Sequence, residues 1–330
     1  LAAGSTAILV ALVPGWDRNV VTSAPYYFAP AYANMDRAQF TGYVNIKVLY
    51  YKEGVDSVVT VREVPGARMY QVNGKTEATT GPGQTEILAL LAEVPLNLAR
   101  EAKNALVIGW GTGVTAGSLT CDQRLATIDL VELEQAALDS GDWFIAENYN
   151  AKNNPRLHAR IDDGRNYTAL AKTTYDVIVT DPPDPWITGP SHLFTIEHIR
   201  NVKTRLSPGG VAAHWVALQT LTEPVYRSLL RTFTEVFEYV EVWEANWPPE
   251  QVIVGSDSPL VFDHARFEAR TKAQPTVREN QTRVGLLDPA AFASRRVGRI
   301  SRAAVADAAI LTDDLPVHEL TPRADFFRPK

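Results

Sequence analysis

The chain has 330 residues, which at about 150 residues per domain leaves room for roughly two domains and a full hydrophobic core. It is 45% hydrophobic and 21% charged, with 7 Trp, 12 Tyr and 11 Phe, a composition that excludes a disordered chain or a disulfide-stapled miniprotein. Lys plus Arg number 32 against 38 Asp plus Glu, giving a formal charge of -6 and a pI near 5.6; no basic patch is concentrated anywhere, so nucleic acid is not an expected partner.

Leu1 to Pro14 is almost entirely apolar and does not begin with Met. It is shorter than the roughly 20 residues that span a bilayer and lacks the basic start and cleavage site of a signal peptide. Residues 1–40 therefore read as an apolar lead, either the end of a membrane segment lying upstream or a plain N-terminal strand or helix. Within residues 41–100 the runs VNIKVLYY, SVVTVRE and ARMYQV alternate in polarity and are separated by Gly54, Pro65-Gly66 and Asn73-Gly74, the pattern of a small antiparallel sheet. Thr85 to Leu98 then carries helical spacing through Ile87, Leu88, Leu90, Leu91 and Val94, which sets a boundary near residue 100.

Residues 101–257 alternate strands such as ALVIGW, ATIDLVEL, YDVIVTD and GVAAHWV with helices, which predicts an α/β fold with a mainly parallel, Rossmann-like sheet covered on both faces. YVEVWEA and EQVIVGS follow each other without a helix between them, so one runs antiparallel, and the expected total is seven strands. Residues 258–330 read as a helix and loop extension. Cys121 is the only cysteine, so there is no intrachain disulfide and no cysteine cage, consistent with a reducing compartment. His158, His192, His198, His214, His264 and His318 show no ligand spacing, and no metal is expected.

The segment from Val107 to Val114 places Gly109, Gly111 and Gly113 in a turn between strand and helix, where absent Cβ atoms let backbone approach a nucleotide-like ligand. A tight structural turn would give the same pattern. Glu132 ends the next strand about 20 residues on, where a carboxylate accepts ribose hydroxyls. Asp163-Gly164 follows the strand after that, and Asp181 and Asp184 lie in the proline-rich segment beyond the next one. Ligands in open α/β sheets collect at the carboxyl ends of strands, so these positions converge on one crevice. The two aspartates can bind a cation or remove a proton. Trp110 and Trp186 either line that pocket or simply pack near the sheet end.

The succession VIGWGTGVTAG, VELE, DDGRNY, YDVIVTDPPDPW, GPSHLFTIEH and RLSPGGV resembles the spermidine synthase (polyamine aminopropyltransferase) family over about residues 40 to 256. The NGK after the strands and LTDDLPVHELTPR near the end are similar to the branch fused to membrane segments. The resemblance implies a small β-domain followed by a methyltransferase-like Rossmann domain using decarboxylated S-adenosylmethionine. It implies that Glu132 holds the ribose, Asp163 the adenine amino group, and Gly109, Gly111 and Gly113 the surroundings of the thioadenosine; Thr112 and Gly164 complete the expected cofactor-binding set. Asp181 would be the base for the attacking amine, with Asp184 beside it.

Two positions depart from the family pattern. Thr112 stands where members usually carry an acid that meets the cofactor's terminal amine. Gly81-Pro82-Gly83-Gln84 replaces an Asp-Glu pair of the polyamine site, with Glu86 as the nearest acid. The expected activity is aminopropyl transfer to a small amine. The alternatives are an S-adenosylmethionine-dependent methyltransferase, since DPPD is close to the DPPY-type motif, or a non-catalytic nucleoside-binding domain of a membrane protein. A homodimer paired through the N-terminal sheet, a cytoplasmic location and a possible membrane tether upstream of residue 1 complete the expectations.

Overall fold

The computed structural model describes residues 16–320 apart from 82, 84, 188, 247–249 and 315–316. Residues 1–15, which include the apolar stretch Leu1 to Pro14, therefore lie outside the described residues. The chain that follows forms three short helices, α1 (Arg18–Val21), α2 (Pro25–Tyr32) and α3 (Arg37–Val44). Asp36 caps α3 reciprocally with Gln39, each side chain bonding the other's backbone at 2.9 Å. Among the described residues, no helix is long and apolar enough to cross a membrane.

The alternating runs form a four-stranded antiparallel meander, β1 (Lys47–Glu53), β2 (Val58–Val64), β3 (Ala67–Val72) and β4 (Lys75–Thr79), paired in chain order. Asn73 and Gly74 both take positive φ, 51° and 81°, as a two-residue hairpin turn with native strand twist requires. Helix α4 (Glu86–Leu98) follows and is buried at almost every position, including the polar Glu93 and Asn97. It packs across the face of the second sheet, against the strands that form that sheet's middle.

The second sheet has the order β12-β10-β11-β9-β8-β5-β6-β7. Its parallel part comprises β5 (Asn104–Ile108), β6 (Thr127–Glu132), β7 (Leu157–Ile161), β8 (Tyr175–Thr180) and β9 (Leu206–Ala217). Helices on both faces leave β8 buried along its whole length, which explains the apolar run Val177 to Val179 at its centre. β11 (Glu250–Ser256) runs antiparallel to β9 and to β10 (Tyr239–Glu244), as expected. The sheet has eight strands, not seven, because β12 (Arg296–Arg299) from the carboxyl extension adds to the outer edge of β10. That strand is four residues long and mostly exposed, too short and too polar to show an alternation.

The chain leaves β5 toward β6 and β7 on one side, then returns to β8 and β9 on the other. A crevice therefore opens at the carboxyl ends of β5 and β8, the switch point where such sheets bind ligands. Helix α5 (Val114–Thr120) starts there, followed by α6 (Gln135–Ser140), α7 (Gly164–Leu170), α8 (Ile196–Thr204) and α9 (Glu223–Val236).

Candidate active site

A cavity of about 1,080 Å3 occupies that crevice and extends under the four-stranded sheet, at the upper end of the sizes of small-molecule sites. Gly109, Gly111, Thr112, Glu132, Asp163, Gly164 and Asp181 all line it, so the sequence-predicted residues from four strand ends meet in one place. Gly109 is held at φ 95°, and a Cβ there would sit 2.4 Å from the Asp181 carbonyl oxygen. Only glycine lets the ends of β5 and β8 come this close. Gly113 is not at the wall; it opens α5 and packs on the Trp110 ring.

Glu132 accepts the Trp110 backbone N–H at 2.7 Å on one oxygen and that of Glu134 at 2.8 Å on the other. These bonds fix the carboxylate to the glycine turn and leave lone pairs for ligand hydroxyls. Burial raises its pKa, against the opposing pull of the backbone donors. Asp163 caps α7, accepting from the backbone of Arg165 at 2.7 Å and Asn166 at 3.1 Å through one oxygen. Thr112 is buried, and its hydroxyl oxygen has no hydrogen-bond partner among the described residues.

Asp181 follows β8 directly, its backbone N–H donating to Ile108 O at 2.8 Å. Its side chain accepts from the Thr115 hydroxyl at 3.0 Å. Burial pushes this carboxyl up to about 7, the Thr115 bond opposing, with Glu250, Glu132 and Glu77 adding to the rise. Asp184 is placed differently from its neighbour. It is fully buried behind the wall, accepting from the Thr220 hydroxyl at 2.9 Å and facing Lys75 Nζ at 2.8 Å. Lys75 also lies 2.7 Å from Glu77. Burial works against the lysine charge, but the two carboxylates outweigh it and its pKa is raised.

Several lining residues lack a sequence signal strong enough to single them out. Glu77 reaches the wall from β4 at a bulge, as the residue left between the Thr76 and Ala78 pairings to β3. Tyr70, Trp215 and Glu250 come from strands of both sheets, and Tyr26 from α2. Trp186 lines the pocket and stacks on Tyr27 with ring centroids 6.1 Å apart. Trp110 is buried beneath the turn and touches the wall. Glu86 is not at the site; it is paired with Arg295 at 2.9 Å. Among the described residues no cluster of His, Cys, Asp or Glu could hold a metal ion.

Residues 87–249 match the family model described as Spermine/spermidine synthase domain. The chain is 29% identical over 191 residues to a polyamine aminopropyltransferase of Nitrosomonas europaea, covering 54% of this chain and 57% of that relative. It is 29% identical to that of Shigella sonnei over 61% of this chain and 72% of the relative, and 27% identical to that of Aeropyrum pernix over 66% and 72%. In fold it is similar to a spermidine synthase solved in complex with the transition state analogue AdoDATO, with a TM-score of 0.60 at 20% identity over 73% of this chain and 89% of that one. The spermidine synthase of Thermotoga maritima gives 0.59 at 20% identity over 73% and 88%.

Proposed function

We propose that this chain, whose residues 87–249 match the model described as Spermine/spermidine synthase domain, is an aminopropyltransferase. It would move an aminopropyl group from decarboxylated S-adenosylmethionine to a small amine and release methylthioadenosine. The observation that carries the reading is Asp181, a carboxylate raised to about 7 at the pocket wall, where the switch point of the sheet would hold a nucleoside. The names of the curated relatives support the same reaction.

A primary amine has a pKa of about 10 and arrives as an ammonium. Asp181 attracts it and then takes its proton; raising the acceptor from about 4 to about 7 makes that transfer roughly 4 kcal/mol less uphill. The amine lone pair then forms the N–C bond while the C–S bond of the sulfonium breaks and its electron pair returns to sulfur. Glu132 would hold the ribose hydroxyls, Asp163 the adenine amino group through its second oxygen, and the turn from Gly109 to Thr112 the thioadenosine. The orphaned Thr112 hydroxyl provides a polar contact for the terminal amine of the aminopropyl arm.

The charge of the wall favours the decarboxylated donor over intact S-adenosylmethionine. Among the described lining residues, the basic ones are Arg165, which is paired with Asp313, and His192, which lies 3.5 Å from the same aspartate. A free carboxylate would enter a wall of acids without a partner. Calorimetric titration with decarboxylated S-adenosylmethionine, S-adenosylmethionine and methylthioadenosine tests this. Tighter binding of the decarboxylated form is expected; preference for the intact form would sink the reading. Asp181→Asn should keep nucleoside binding and lose about 100- to 10,000-fold in kcat, whereas Glu132→Gln should weaken nucleoside binding itself.

β1 and β4 end the small sheet with no further strand paired to them among the described residues, which supports the homodimer expectation; a light-scattering mass would check it. Cys121 is buried with its thiol pushed up to about 12, which supports an inert structural role.

A further inference from the structure

Asp163 and Arg165 stand two residues apart at the start of α7, and both line the cavity. One Asp163 oxygen accepts the backbone N–H groups of Arg165 and Asn166, and no hydrogen bond to the other oxygen is found among the described residues. A guanidinium two positions after such a carboxylate can turn back onto it, and this chain shows that outcome elsewhere. Asp122 accepts the backbone N–H of Arg124 at 3.0 Å, and the Arg124 side chain folds back on the same carboxylate, with Nε 3.1 Å from each oxygen and Nη2 at 2.6 Å from one. An Asp163 gripped in that way would have little acceptor capacity left for a ligand.

Arg165 is drawn the other way. Its Nη1 donates to one oxygen of Asp313 at 2.8 Å and its Nη2 to the other, a forked pair that satisfies the guanidinium away from Asp163. The Asp313 bond holds the Arg165 pKa above its ordinary value against the effect of burial, and Glu197 and Asp163 are the other acids that act on this charge. Asp313 is itself held firmly, and from outside α7. It accepts the Thr195 hydroxyl at 2.7 Å, and its backbone N–H donates to Glu197 of α8 at 3.2 Å. Two residues earlier, the Leu311 carbonyl accepts the Ile196 N–H at 2.8 Å, and the Leu311 N–H donates to the Thr232 hydroxyl of α9 at 3.0 Å. The carboxylate that captures Arg165 is thus fixed to α8 and α9 and does not line the cavity, whereas the two residues it sorts between do.

We infer that Asp313 is a positioning residue of the nucleoside end: by taking up the Arg165 guanidinium it keeps the Asp163 carboxylate free to accept a purine amino group. The inference rests on the nucleoside-binding half of the aminopropyl-transfer reading and gives the carboxyl extension a part in ligand selection.

The test compares calorimetric binding of methylthioadenosine to the full chain with that of methylthioinosine, which carries a carbonyl oxygen where adenine carries the amino group. The wild-type protein should prefer the amino form by about ten- to hundredfold, the range of one charge-assisted hydrogen bond. Asp313→Asn should erase most of that ratio, because the released guanidinium turns back onto Asp163. Arg165→Met should keep the ratio, and adding it to Asp313→Asn should restore what the single substitution lost. Thr195→Val, which removes another partner of Asp313 and leaves Arg165 paired, should leave the ratio in place. A ratio unchanged by Asp313→Asn, with both ligands weakened alike, would make Asp313 a plain structural tie and overturn the inference; a loss that the double variant does not recover would do the same. The two readings fail separately. The expected pattern of ratios without any transfer from decarboxylated S-adenosylmethionine removes the activity and leaves Asp313 in place; transfer by a wild-type protein blind to the amino group removes Asp313 alone; absence of nucleoside binding removes both.

Discussion

Asp181 is set among other carboxylates and is raised to about 7 before any substrate arrives. A base must be deprotonated to act, so kcat/KM should fall as pH drops below about 7, and the acid limb of the profile reports this group. An acid limb near 4 would mean that the wall does not perturb it. The same shift has a stability consequence. The folded pKa lies above the unfolded value of about 3.9, so the folded state holds the proton more tightly. The resulting stabilisation is complete below about pH 4 and is lost as pH rises through 7, where the charged form must be kept in the wall. Asp181→Asn removes that charge, so its gain in Tm over the wild-type protein should be larger at pH 8 than at pH 5. Residues of this kind were legible in the sequence: Glu132 ends a strand, and Asp163 and Asp181 each follow one, in a strand–helix alternation that alone puts them at one end of a sheet. Glu250 and Lys75 were not, because their places depend on antiparallel register and on how two sheets meet.

At the scale of elements, the joint between the two sheets is a carboxylate in a turn. Glu134, just past β6, accepts the backbone N–H groups of Val55, Asp56 and Ser57 at 3.0, 2.7 and 3.0 Å, and the Ser57 hydroxyl at 3.2 Å. The β1–β2 turn thereby wraps the acid, and a Cβ on Gly54 would lie 2.0 Å from its Oε2 atom. Gly54→Ala must therefore displace Glu134 or the turn, and Glu134→Gln exchanges one acceptor oxygen for a donor facing donors. Each should cost about 1–3 kcal/mol in denaturant unfolding. Because both break one joint, the double variant should cost clearly less than the sum of the two. Additive losses would show the turn and the acid to be independent. The sequence announced the turn through Gly54 and the strands through alternation, but nothing in it pairs residue 54 with residue 134, since contacts across 80 positions leave no local trace. The missed eighth strand has the same origin: β12 exists only where β10 offers it an edge.

The whole molecule is held together by a charge network that the carboxyl extension brings to the sheet. Helix α10 (His264–Ala273) carries Arg270, which is buried and reaches Glu93 of α4 at 2.7 Å and Asp122 at 2.8 Å. Helix α11 (Pro275–Arg283) adds Gln281, whose amide donates to Glu93 at 3.1 Å, while Asn97 bonds the Glu93 carbonyl at 2.8 Å. Read alone, α4 carries an acid and an amide on a face that should be apolar, and α10 and α11 carry a single large apolar residue each, Phe267 and Val277; each anomaly is answered by the other. At the pocket mouth, Asp313 meets Arg165 and Thr195 from a segment still further along the chain. The extension is thus part of the folded unit that shapes the cavity. Replacing Arg270 by Met should leave Glu93 buried without its cation, while Asp122 keeps Arg124 at 2.6 Å, and should destabilise the protein by about 3–5 kcal/mol. Lysine should rescue little, because a single ammonium cannot reproduce the forked contacts to Glu93 and Asp122. Calorimetry should show one transition at lower temperature and not a separate melting of the extension. A loss under about 1 kcal/mol, or an independent second transition, would show that the helices merely rest on the sheet.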